Sequence, residues 1–196
     1  MFLIIFIIFV VVFTIMLRRL SNRDQKIQDE FWDRELRSNT VRKKDISSLS
    51  YITIPLDTFP IGKYEDEELS DCETDLRGLA DRQILNLNGA SNTDLKLTYG
   101  VPNFQFLSEC DENFAVLART LVRYGNRLFA LGHAQEAETV LAFGVACRSD
   151  IVSNYTLLAD IYRALGKDDK LDSLIASANT LDSSRKDAIL KKLAEP

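Results

Sequence analysis

Leu121–Leu141 reads LVRYGNRLFALGHAQEAETVL, and Tyr155–Ile175 reads YTLLADIYRALGKDDKLDSLI, 34 positions further on. Laid over each other, they pair Leu121 with Tyr155, Tyr124 with Leu158, Gly125 with Ala159 and Leu128 with Tyr162. The register continues through Gly132 with Gly166, Leu141 with Ile175 and Gly144 with Ala178. Large side chains meet large ones, small meet small, and a glycine falls at the same place in each. Such a stretch reads as two antiparallel helices joined by a tight glycine turn. The small residues let helices approach closely and the large ones fill the space between them. The expected fold class is all-α.

This pattern resembles the tetratricopeptide repeat, whose period is 34 residues. The first unit, 118–151, carries the family's large residues at Leu121, Tyr124 and Leu128, its small one at Gly125, its glycine at Gly132 and its alanine at Ala137. The second unit, 152–185, departs from the pattern at Leu171, where the family has alanine, and lacks the closing proline. A generic tandem of helical hairpins shares part of the pattern and remains the alternative. The resemblance implies a concave surface lined by the first helix of each unit. The matching positions are Arg119, Val122, Asn126, Phe129 and Ala130, then Ser153, Thr156, Asp160, Arg163 and Ala164. Of these, Arg119, Asn126, Phe129, Asp160 and Arg163 are the candidate partner-binding residues. Some members of the family clamp a peptide carboxylate with Lys and Asn. Here Asn126 matches, but Val122 and Thr156 stand where Lys is expected, and Asp160 would repel a carboxylate. The other reading of this surface is a groove filled by the protein's own N-terminal helices.

Outward from the repeats, SSRKDAILKKLAEP at the C-terminus reads as a capping helix with Ala188, Ile189 and Leu193 facing inward. Towards the N-terminus, YEDEELSDCETDLRGLADRQI places Leu69, Cys72, Leu76, Leu79 and Ala80 on one face of a helix over about 65–85. Its acids sit in the first turns, where the helix dipole favours them; recruitment of a basic partner is the alternative. Asn92 or Thr93 is expected to cap a short helix that ends at Gly100 and Pro102, and Ser108 to open the next one. SYITIPLDTFPIG alternates Ile52, Ile54 and Leu56 with other residues, while Pro55 and Pro60 disfavour a central strand. An extended strap, or one short β segment near 51–56, is expected there.

The domain plan is therefore 1–17, 18–64 and 65–196. MFLIIFIIFVVVFTIML, residues 1–17, contains no charge, glycine or proline. At ~1.5 Å per residue a helix of this run reaches about 25 Å, close to a hydrocarbon core of ~30 Å, with Arg18 and Arg19 able to snorkel at its end. A cleaved signal peptide would need a basic start and a small-residue cleavage site, and neither is present. A single-pass transmembrane helix is expected, and the chain as a whole resembles bacterial membrane-anchored proteins. Lys and Arg flank only its C-terminal side, so the domain is expected in the cytoplasm. Residues 18–64 form a juxtamembrane helix, with a weak stripe of Ile27, Phe31, Trp32 and Leu36, followed by the extended linker. Arg18, Arg19, Arg42, Lys43 and Lys44 are candidates for contact with anionic lipid.

The remaining chemistry is sparse. The net charge of −5 offers no footprint for nucleic acid. Cys72, Cys110 and Cys147 are isolated, without a second ligand at metal spacing, and read as buried reduced thiols. His133 follows Gly132 in a turn without a nucleophile or acid to serve. Asp168 with Asp169 offers too few ligands for a cation, and Asp71, Glu73 and Asp75 fall on different sides of a helix. No phosphate-binding, dinucleotide-binding or zinc-protease motif occurs. The expectation is a membrane-tethered protein–protein interaction module, an adaptor or assembly factor, without enzymatic activity or cofactor. The alternative is a structural subunit of a larger membrane complex.

Overall fold

The computed structural model describes residues 2–195, except for the side chains of residues 2–5, 8, 10–12, 17 and 20–23. Every regular element among them is helical: α1 (Phe2–Ser38), α2 (Glu67–Ala80), α3 (Asn92–Tyr99), α4 (Val101–Ala130), α5 (Ala134–Ala146), α6 (Val152–Ala164), α7 (Asp168–Asn179) and α8 (Lys186–Leu193). The chain divides into two units. One comprises Met1–Asp45 with Ser91–Phe104; the other comprises Ile46–Ala90 with Gln105–Pro196.

In the first unit the end of α1 packs on α3. Glu35 accepts from Thr93 Oγ1 (2.6 Å) and from Lys96 Nζ (3.0 Å), and Arg34 pairs with Asp94. The Thr93 and Lys96 hydrogen bonds hold the Glu35 carboxyl below its ordinary pKa. Ser91, not Asn92 or Thr93, caps α3. Its hydroxyl accepts from Asp94 N, and Asp94 accepts from Ser91 N, a reciprocal capping box that the neighbouring residues have no acid to complete. Gly100 has φ +90°, and a Cβ there would stand 2.1 Å from Arg42 O, so only glycine fits. Beyond it, α4 begins at Val101 rather than at Ser108. Pro102 falls in the first turn, where no backbone N–H is needed. The N-terminal apolar run is part of α1. Among the described residues no helix is long and apolar enough to cross a membrane. Met1 and many side chains of the 1–17 run, on which that expectation depends, lie outside the described residues. Those described there, including Phe6, Phe9, Phe13 and Met16, are exposed, as are Ile27, Phe31, Trp32 and Leu36 beyond it.

In the second unit, α2 spans Glu67–Ala80 and is shorter than expected. Asp66 caps it, accepting from Leu69 N (3.1 Å), and the backbone leaves the helix at Asp81. No strand forms near 51–56 among the described residues. Ile54 is buried and Ile52 N donates to Ile84 O (2.9 Å), but Pro55 removes a donor and the chain turns into a short 3₁₀ stretch at Leu56–Thr58. Phe59 is buried and meets Phe143 edge-on.

One core joins α2, α4, α5, α6, α7 and α8 through Leu76, Leu121, Tyr124, Leu141, Leu158, Leu174 and Ile189. A Cβ on Gly125 would meet Leu141 Cγ at 2.6 Å, and one on Gly144 would meet Asn154 Oδ1 at 2.8 Å, so these glycines mark helix crossings. The turns repeat at a spacing of 34. Gly132 and Gly166 both have positive φ (+86° and +63°). His133 N donates to Leu128 O, and Lys167 N to Tyr162 O, each at 2.9 Å. In α8, Ile189 and Leu193 are buried, but Ala188 is exposed and Leu190 takes the inward place beside Ile189.

Candidate functional site

The buried stripe of α4, Leu117, Leu121, Tyr124 and Leu128, turns Arg119, Arg123 and Asn126 to the opposite side of the helix. The buried stripe of α6, Tyr155, Leu158, Ala159 and Tyr162, does the same for Ser153, Thr156 and Asp160. Between the two helices lies an open groove of about 470 Å³. Arg119, Val122, Arg123 and Asn126 form one wall; Ser153, Thr156, Leu157 and Asp160 form the other, with Ile151 at the entrance to α6.

Its charges are arranged unequally. Arg123 is tied down, donating to Asp75 Oδ2 (2.8 Å) and to Cys72 Sγ (3.0 Å). Asp160 accepts from Arg163 Nη1 (3.1 Å). Arg119 is exposed and has no intramolecular partner among the described residues. Apolar patches at Val122, Ile151 and Leu157 lie between these polar groups.

Of the residues singled out from sequence, Arg119, Asn126 and Asp160 come together in this groove. Phe129 is half-buried and packs against the core. Arg163 reaches Asp160, but its other amine donates to Leu193 O (3.2 Å) and Glu195 O (2.9 Å) at the end of α8. Sequence reasoning did not single out Arg123, Ile151 or Leu157. Arg123 lies one turn from both Arg119 and Asn126, and that spacing could have found it. Leu157 is half-buried and sits among core leucines, with nothing local to separate it from them.

Elsewhere, His133 precedes the first residue of α5 and its ring stacks on Tyr64, centroids 3.7 Å apart. Cys72 and Cys110 are buried, and Cys147, half-buried, has its thiol pushed up to about 12 by burial, so it is a thiol at neutral pH. Among the described residues, Tyr155 Oη and Asn154 Oδ1 are buried without a hydrogen-bond partner. Among the described residues no group of three acidic, His or Cys side chains is placed to hold a metal ion. No protein-family model, curated protein or solved structure matches the chain.

Proposed function

We propose that this chain is a membrane-tethered protein–protein interaction module whose partner lies in the groove between α4 and α6. The observation that carries the reading is the convergence of Arg119, Asn126 and Asp160, from two helices, on one open groove with apolar patches at Val122, Ile151 and Leu157. The hairpins resemble tetratricopeptide repeats in period and in the placing of Gly125, Gly132 and Gly166. The absence of Lys at Val122 and Thr156 argues for a ligand other than a clamped terminal carboxylate. Residues 1–17 serve as the anchor, with the rest of the chain in the cytoplasm; the sequence of that run and the Arg18–Arg19 flank support this. Arg18 and Arg19 lie at the membrane surface. Arg42, Lys43 and Lys44 follow after about 30 Å of further helix, at ~1.5 Å per residue. They reach anionic lipid only if α1 lies along the surface.

The test places a photo-crosslinking amino acid at Asn126 in the full chain, with an exposed control at Lys191. The groove reading expects an adduct from Asn126 that Thr156→Trp, which fills the groove, removes. Equal labelling from both positions, unaffected by Thr156→Trp, contradicts it. A second reading, a structural subunit of a membrane complex, is favoured by the uncovered side chains Ile27, Phe31, Trp32 and Leu36 on α1. It expects a crosslinker at Phe31 to trap a companion subunit in place of the Asn126 adduct.

A further inference from the structure

The solvent side of α4 has an order that the groove alone does not use. Going along the helix it presents Glu109, Glu112, Val116, Arg119 and Arg123, all exposed. Of the three exposed large apolar side chains described in the second unit, Phe106, Val116 and Leu131, Val116 (37 %) belongs to this stripe and stands at its middle. Acids occupy the half before Val116 and arginines the half after it. Neither Glu112 nor Arg119 has an ion-pair partner inside the chain among the described residues.

We propose that a second copy of this chain docks antiparallel on this stripe, with a twofold axis at Val116. This rests on the reading of the α4–α6 groove as a partner site and names its occupant. A twofold contact brings together positions equally distant from the axis, and it must be self-complementary. Glu109 and Arg123 each stand seven residues from Val116; Glu112 and Arg119 stand four and three away. Glu112 of one copy therefore meets the uncommitted Arg119 of the other, Glu109 comes to Arg123 beside its Asp75 partner, and Val116 meets itself. A parallel arrangement would set Glu on Glu and Arg on Arg. Opposite charges across such a contact steer encounter and fix register.

The experiment uses the full chain in detergent micelles, followed by sedimentation equilibrium. The wild type is expected to dimerise. Glu112→Arg and Arg119→Glu each place like charges opposite one another and should raise the dissociation constant at least about tenfold. Mixed in equal amounts, the two variants regain complementarity and should form a heterodimer at near wild-type affinity. Val116→Cys, on the axis, should form an intermolecular disulfide under mild oxidation. All three substitutions are on the surface, and unchanged helicity by circular dichroism separates loss of contact from loss of fold. A monomeric wild type overturns the proposal, as does a dimer that neither charge reversal weakens, which would place association elsewhere, for example along α1. A mixture that fails to associate also overturns it. If Asn126 labels a protein of another mass while this chain stays monomeric, the groove reading stands and the second copy as its occupant is rejected.

Discussion

In the first hairpin the turn at Gly132 is held from outside. Tyr64 stacks on His133, and Lys63 Nζ and Tyr64 Oη both donate to Glu136 Oε1, while Gly62 N donates to Glu73 (2.8 Å). In the second hairpin the turn at Gly166 is held by its predecessor: Lys167 and Lys170 both donate to Glu138 of α5. The backbone turns are alike, with the same positive-φ glycine and the same hydrogen bond closing behind it. What differs is which segment brings the compensating charge. An end unit has no preceding hairpin, so the strap around residues 59–64 substitutes for one. That is the work expected of a cap in a repeat array.

The largest effect belongs to what the hairpins share. Gly125→Leu must displace Leu141, which is wholly buried and cannot swing aside. It should cost about 3 kcal/mol, the upper range for overpacking. Ala159→Leu, at the equivalent position in α6, should fall within about 1–3 kcal/mol. Thermal unfolding of the full chain in detergent measures both. Losses below those of an exposed control such as Lys191→Ala would dissolve the equivalence of the two crossings.

The intermediate effect belongs to what they do not share. The Lys63 and Tyr64 hydrogen bonds hold Glu136 down, to about 2 from an ordinary 4.5. Because the folded pKa is depressed, its stabilising contribution is complete above about pH 4.5 and disappears as pH falls towards 2. Glu136→Gln should remove about 1–3 kcal/mol at neutral pH and flatten the stability profile over that acid window. Glu138 behaves differently in origin. Burial raises its pKa, but the Lys167 and Lys170 bonds overcome that and leave it lowered. Glu138→Gln should loosen α7 while leaving the strap protected from amide exchange, and Glu136→Gln should do the reverse. Loss of protection in both segments from either substitution would show that the hairpins are fastened as one.

The smallest effect should be equal in both. A Cβ at Gly132 or Gly166 meets open space, so Gly132→Ala and Gly166→Ala carry only the strain of positive φ, about 1 kcal/mol each. A difference of more than about a factor of two between them would mean that the turns are not equivalent.

The 34-residue register was legible because it depends on local spacing. Gly132, Gly166 and the buried stripes of α4 and α6 obey a period of 3.6, and the same spacing turned Arg119, Asn126 and Asp160 outward together. Other features depend on contacts distant in sequence. Glu73 is mostly buried with Tyr124 and Gly62, and nothing in its neighbours marks it as anything but a helix-start acid. Phe129 was a partner-binding candidate through its place in the repeat pattern, but packing draws it towards the core. Arg163 was diverted by the carbonyls at the end of α8, some thirty residues away in sequence. The start of α4 was hidden by Pro102, a residue that ends helices as readily as it begins them.

The most direct test of the account is the distance across the groove. Spin labels introduced by Asn126→Cys and Asp160→Cys in the full chain, with the three native cysteines replaced by serine, report whether α4 and α6 stand side by side in register. The account predicts a single narrow distribution below about 25 Å, as helices packed within one or two interaxial spacings of ~8–10 Å require. A broad distribution, or a shorter distance when Asp168 is labelled in place of Asp160, would contradict it.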